Sequence, residues 1–417
     1  MLNKLNIKIR GLFMKVAIAI LFLFCVSKPA IASKWWSPKT RGHLNTLRTS
    51  YKDPFASTML GACKVDKLKY KEIKEAVIEK HRVRVETMNS GRLNSVFVLQ
   101  NKDERIIPAK LMIVLPGAFT TTQSPQPVRM AKRFFARGYH VVTLPNPWGL
   151  EFIKERPYFT MGSFVKEGEA IYMAIRSAVS KLKNRGLLID EVSVMGISGG
   201  GYLTAMVAGL DSISGSPVLT GTATSIAAPM IWSQTMKHLD GYMAEVREGL
   251  NSKLISLIPS YWRICRSDSQ EDLGQGLLEK AKLLTIHSGF HSHMIRSIHL
   301  FDELNSLNSI PKKGYKNWRM NMNFARFYDT YNPGGKLLLG SKWGRIDTWV
   351  NLAKDNGYNR LRILTSMDDF LNVPEVFQEL HIEEERLLLI PFGGHWGIRG
   401  FGTWFDKLFD LAFGPKI

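Results

Sequence analysis

Hydrophobic and polar positions follow two rhythms along most of this chain. Leu111-Met112-Ile113-Val114-Leu115 is wholly apolar, as expected of a strand buried on both faces of a sheet. His81 to Glu86 and Asn94 to Leu99 read as strands joined by a turn at Asn89-Ser90-Gly91. Further strands are predicted at Tyr139 to Leu144, Glu191 to Met195, Val218 to Ile226, Leu361 to Thr365 and Arg386 to Ile390. Helical spacing lies between them. It runs from about Gln126 to Arg137, then from Gly162 to Lys183 through Phe164, Ala170, Ile171, Ala174, Ala178 and Leu182. It returns after Gly201, near Pro374 to Leu380 and from Phe401 to Phe413. This βα alternation predicts an α/β fold, a mostly parallel central sheet with helices on both faces, over residues 81–228 and 360–417.

The alternation breaks over residues 229–359. Aromatics, methionines and amphipathic stretches dominate there, interrupted at Pro259, Pro311 and Pro333-Gly334-Gly335. The segment is too long for a loop and too helical for another sheet unit, which predicts a large, mainly helical cap. Residues 33–80 form an N-terminal extension. From Lys64 to Arg84 the mixture of Lys with Asp and Glu reads as a helix with a solvated face.

Residues 1–32 have a different character. Lys4, Lys8, Arg10 and Lys15 precede the apolar run Val16 to Val26, and Ala30-Ile31-Ala32 offers the small residues a signal peptidase requires. A secretory signal cleaved after Ala32 is expected, with an uncleaved anchor as the alternative, and Met14 opens a compact signal of its own. Cys25 follows bulky Phe24, which argues against a lipoprotein anchor. The protein is therefore expected to be periplasmic or secreted. Export changes how Cys63 and Cys265 read: in an oxidising compartment they either pair or remain two buried thiols.

The formal net charge of the whole chain is +20, of which the signal contributes five positive residues and no acidic one. Dispersed charge on an exported protein argues against nucleic acid as a partner. An anionic membrane or envelope surface is the partner such charge would suit.

The candidate chemistry sits at three strand ends. Apolar Val192 to Met195 runs into Gly196-Ile197-Ser198-Gly199-Gly200, and helical character follows from Tyr202. A strand that turns sharply on glycines into a helix presents its serine hydroxyl at the tip of the elbow. Taken alone, the pattern also fits a glycine-rich turn at a helix start. Leu361 to Thr365 leads into Ser366-Met367-Asp368-Asp369, and Arg386 to Ile390 into Pro391-Phe392-Gly393-Gly394-His395. Asp-Asp also suits a helix cap, and a histidine among glycines also suits a plain loop. In an open parallel sheet these ends share one edge, and the order Ser, Asp, His is the one a hydrolase elbow requires. His395 is the expected base for Ser198. Asp368, three residues past Thr365, is the first choice for the acid behind it, with Asp369 as the alternative.

These residues resemble the α/β-hydrolase superfamily over roughly residues 80–415. The closest flavour is the branch with an Asp-Asp acid pair and a Gly-Gly-His-x-Gly loop. Phe301-Asp302 and Phe327-Tyr328-Asp329-Thr330-Tyr331 look similar to a pattern in that branch's cap. The resemblance implies an oxyanion hole from the N–H of Gly199 and a second donor in Pro116-Gly117-Ala118-Phe119, Ala118 being favoured over Phe119. Pro116 stands where the family carries histidine. It also implies a serine hydrolase without cofactor, first an esterase or lipase-like acyl hydrolase acting on a small or lipid-like ester. Alternatives are a thioesterase, amidase or acyltransferase using the same triad, or an inactive scaffold on the same fold. His287, His291, His293 and His299 have spacings that suit a metal, but without a carboxylate or cysteine partner they read as cap surface or pocket lining. Trp148, Met230, Trp232 and Met236 fit either an acyl pocket or ordinary core.

Overall fold

The structure, a computed structural model, describes residues 53–63, 73, 76–103, 105–251, 254–267, 271–395, 397 and 402–416. The expected signal over 1–32 and much of the 33–80 extension lie outside the described residues.

A nine-stranded sheet forms the centre. Its strands are β1 (Ala76–Arg84), β2 (Arg92–Lys102), the two-residue β3 (Arg105–Ile106), β4 (Ala109–Leu115), β5 (Tyr139–Thr143), β6 (Ile189–Ile197), β7 (Ala223–Ile226), β8 (Leu361–Ser366) and β9 (Leu387–Ile390). The spatial order is β1-β2-β5-β4-β6-β7-β8-β9, with β3 pairing β2 off this path. From β5 to β9 every neighbouring pair is parallel, while β2 runs antiparallel to both β1 and β5. With an elbow after β6 at its centre, this is the α/β-hydrolase fold. The apolar runs are central because parallel strands are covered on both faces: all five residues of β5 are buried.

Nine helices and the short turns between them matter for the site. In chain order they begin with α1 (Pro54–Cys63), α2 (Pro125–Phe135), α3 (Phe164–Asn184) and α4 (Gly199–Ser212). The segment between β7 and β8 supplies α5 (Trp232–Glu245), α6 (Ile258–Arg266), α7 (Gly274–Ile286) and α8 (Ser292–Leu304), and α9 (Gly402–Phe413) closes the chain. A five-residue π-helical stretch, His287–His291, joins α7 to α8. One sheet face packs Phe134 of α2 against Phe405 and Phe409 of α9. The other carries the larger core with α3, α4 and the helical insertion. Helices therefore cover both faces.

One expectation fails. The strand expected from His81 begins earlier, at Ala76, where the end of a helix was expected, and pairs with β2 without a break from Ala76–Gln100 to Arg84–Arg92. The mixed charges that suggested a solvated helix instead decorate an edge strand, where Arg185 and His81 both meet the Glu79 carboxylate. Pairing with β2 overrides local helical propensity.

Candidate active site

Ser198 holds the backbone at φ 57° and ψ −127°, a region that L residues avoid. Three bonds hold the strained residue: its N–H donates to Ile226 O at 2.8 Å, and its C=O accepts from the N–H groups of Gly201 at 2.8 Å and Tyr202 at 3.2 Å. The glycines around it allow strand and helix to meet. A Cβ on Gly196 would lie 1.9 Å from Gly200 O, and one on Gly200 would lie 2.2 Å from Leu115 O.

His395 Nε2 lies 2.9 Å from Ser198 Oγ, and its Nδ1 lies 3.1 Å from both carboxylate oxygens of Asp369. Since a carboxylate only accepts, Nδ1 carries the hydrogen and Nε2 is left to accept from the serine. Asp369 is 1% exposed, and its Oδ1 also accepts from Leu371 N–H at 3.0 Å.

Asp368, the expected acid, does not face His395, and Asp369 takes that place. The Asp368 oxygens accept from the N–H groups of Gly393 at 3.2 Å and Gly394 at 2.9 Å, so it shapes the loop that presents the histidine. The reason is one residue of strand. β8 continues to Ser366, which makes Asp369 the residue three past the strand end. Burial raises the Asp368 carboxyl above its ordinary range, against the pull of those two N–H groups and with neighbouring Asp369 adding to the rise.

Helix α1 forms a wall of the site, which the sequence did not indicate. Thr58 Oγ1 accepts from His395 N–H at 2.8 Å while donating to Pro54 O at 2.6 Å. Phe55 stacks on Phe370 at 4.8 Å, and Phe370 packs on the His395 ring at 5.3 Å. The histidine loop lies so close to α1 that a Cβ on Gly394 would meet Pro54 O at 2.3 Å. At its far end α1 is joined to α6 by a Cys63–Cys265 disulfide, with Cα atoms 5.4 Å apart, which resolves the cysteine alternatives in favour of pairing.

Two cavities meet at Ser198. A closed apolar one is lined by Phe119, Trp148, Trp232, Met236, Phe324 and Leu371 among others, and leaves about 20 Å³ free. A wider cleft of about 210 Å³ is bordered by His395, Thr58, Thr120, Gln126, Thr285 and Ser288. Of the four residues weighed as acyl-pocket lining, Trp148, Trp232 and Met236 line the closed cavity, whereas Met230 is fully buried elsewhere in the core.

Ala118 and Gly199 border the closed cavity together. A Cβ on Gly199 would lie 3.3 Å from Ala118 N, so the two backbones touch beside Ser198. Phe119 adopts φ 64°, and its ring meets Trp148 edge-on at 5.6 Å. Behind Trp148 lies Glu167, fully enclosed, which accepts from Trp148 Nε1 at 3.3 Å and Gly162 N–H at 2.7 Å. Burial pushes its carboxyl up to about 7.

The cap histidines are engaged separately. His287 Nδ1 pairs with Ser292 Oγ at 2.6 Å, His291 Nε2 donates to Arg319 O at 2.9 Å and His299 meets Tyr315. Among the described residues no cluster of three or more His, Cys, Asp or Glu could hold a metal. A separate groove of about 960 Å³ is lined by Arg84, Arg176, Lys181, Lys183 and Arg185, none of which borders Ser198.

No protein-family model and no curated protein sequence matches the chain. Solved structures are similar to it at low identity. An esterase of Pyrococcus furiosus is 12% identical, with 84% of this chain and 96% of that one covered at a TM-score of 0.43. An esterase of Pyrobaculum calidifontis is 12% identical, with 90% and 98% covered at 0.42. An acylaminoacyl peptidase of Pyrococcus horikoshii is 12% identical at 0.40, with 82% of this chain covered and the match spanning 41% of that one.

Proposed function

We propose that the protein is a serine hydrolase that cleaves carboxylic esters through an acyl-enzyme. The observation that carries this reading is the aligned chain of Ser198 Oγ, His395 and buried Asp369 at 2.9 and 3.1 Å. Ser198 gives its proton to His395 Nε2 as Oγ attacks the carbonyl carbon. The resulting oxyanion accepts from the N–H groups of Gly199 and Ala118, which have no other partner among the described residues. His395 then passes its proton to the leaving alcohol, and the acyl group remains on Ser198. Water, deprotonated by the same histidine, releases the carboxylic acid and restores the serine. Asp369 keeps the ring in the required tautomer and stabilises the imidazolium.

The apolar leader and the disulfide support export, and Arg176, Lys181 and Lys183 of the separate groove, where Arg84 and Arg185 are paired with Glu86 and Glu79, are what an anionic membrane surface would meet. A fluorophosphonate probe tests the hydrolase reading. Labelling of the purified chain, lost in Ser198→Ala, is the expected result. Absence of labelling on folded protein sinks the reading in favour of an inactive scaffold.

A further inference from the structure

The two cavities at Ser198 are not equivalent. Only the wider cleft contains His395. A leaving alcohol must receive its proton from His395 Nε2, so the alcohol moiety occupies that cleft. The acyl group is left with the closed cavity on the Gly199 side. Its free space of about 20 Å³ is small beside the roughly 210 Å³ of the cleft. A methyl beyond the carbonyl carbon fits; an extended chain does not.

What stops the chain is identifiable. Met236 and Phe324 line the closed cavity and also a second space of about 340 Å³ beyond it, bordered by Lys237, Asp240, Tyr328 and Leu339. These two side chains are the partition between the two. The cleft on the His395 side is of different character. Met59, Phe290 and Phe370 form an apolar part of its wall, but Thr58, Thr120, Gln126 and Ser288 also border it, and so does Thr285, which is 5% exposed and whose buried hydroxyl has no partner among the described residues. An unpaired buried hydroxyl is costly unless a ligand completes it.

Resting on the hydrolase reading above, we propose that the substrate is an acetyl-class ester of a polar, hydroxyl-bearing alcohol. Met236 and Phe324 set the acyl limit, and Thr285 binds the alcohol portion. Hydrolysis breaks the bond between the acyl carbon and the alcohol oxygen. The acetyl carbon bonds to Ser198 Oγ, the alcohol leaves with the proton from His395, and water then releases acetate.

The test compares kcat/KM for nitrophenyl acetate, butyrate and octanoate with the purified full chain, alongside Met236→Ala, Phe324→Ala and the double variant. Wild type should favour acetate over octanoate by about 100-fold or more, since each misfitting methylene costs about tenfold or more. Because acetates are intrinsically more reactive, the variants are decisive. Opening the partition should raise the octanoate-to-acetate ratio at least about tenfold. Equal rates in wild type, or an unchanged ratio in variants that still label with fluorophosphonate, overturn the acyl assignment. So does labelling without turnover of any ester in the series. No labelling at all sinks the hydrolase reading itself. For the alcohol, glycerol monoacetate should exceed butyl acetate by about tenfold, and Thr285→Val should erase that preference. A preference for butyl acetate, or one that survives Thr285→Val, overturns the alcohol assignment.

Discussion

The backbone N–H of His395 donates to the hydroxyl of Thr58 at 2.8 Å, across 337 residues of chain. The same hydroxyl is oriented by its own bond to Pro54 O, so Thr58 can only accept from the histidine loop. Thr58 is therefore a positioning residue for the base. Thr58→Val keeps the shape and removes the acceptor. One lost hydrogen bond of about 1 kcal/mol corresponds to roughly a fivefold to tenfold fall in kcat. Most of the fall should appear in kcat, with a smaller change in KM, and Thr58→Ser should restore activity. A Thr58→Ser variant as slow as Thr58→Val would show that packing, not the hydroxyl, matters.

Asp368 and Asp369 are adjacent but hold different partners, one the loop N–H groups and the other the imidazole. Asp369→Asn exchanges an acceptor for a donor opposite Nδ1 and favours the wrong tautomer. A fall of about 10⁴ in kcat with little change in folding is expected. Asp368→Asn weakens the turn at Gly393-Gly394 and should cost activity by about ten- to a hundredfold, together with a lower Tm. Steady-state kinetics and thermal unfolding on both variants separate the two roles. Equal kinetic losses would contradict the geometry.

These cases show which parts of the site the sequence makes legible. Ser198 ends β6, whose apolar run is continuous because a central parallel strand is buried on both sides, while His395 follows β9, a half-buried edge strand that its aliphatic run Leu387 to Ile390 still makes readable. The acid lies one residue beyond its expected position because strand ends are set by pairing: Ser366 pairs with Ile390, and nothing in residues 361–369 alone reports that. Helix α1 was missed for a related reason. Its place against His395 depends on contacts with residues more than 300 positions away. The available signal was the cysteine pair, since a Cys63–Cys265 bond brings the extension to the cap. Only the first half of β1, Ala76 to Lys80, differs from the expected strand at His81, because a charged edge strand and a solvated helix present similar composition.

The disulfide gives a third prediction. It joins positions 202 residues apart, so its loss should cost about 2–4 kcal/mol of stability. Cys63→Ser, Cys265→Ser and the double variant should unfold at the same lowered temperature, because one broken partner removes the whole link. Activity should fall along with Tm, since the freed helix carries Thr58 and Phe55. If the double variant is clearly less stable than either single one, the thiols contribute independently and the link is not the cause.

Glu167 makes stability depend on pH in an unusual direction. Unfolded, its carboxyl ionises near the ordinary 4.5, whereas in the fold burial holds the proton to about 7. Between those values the folded state binds more protons, so stability falls as pH rises through this window and stays lower above it. The full effect is about 3 kcal/mol. Glu167→Gln does not titrate, but its amide cannot accept from both Trp148 Nε1 and Gly162 N–H as the carboxyl does. The variant should therefore be less stable than wild type at pH 5, by about 1–3 kcal/mol, with the gap closing or reversing by pH 8. Thermal unfolding of both proteins across that range reads the difference directly. A gap constant from pH 5 to pH 8 would mean that Glu167 ionises in the fold as it does in water, and that Trp148, which lines the apolar cavity at Ser198, rests on a charged carboxylate.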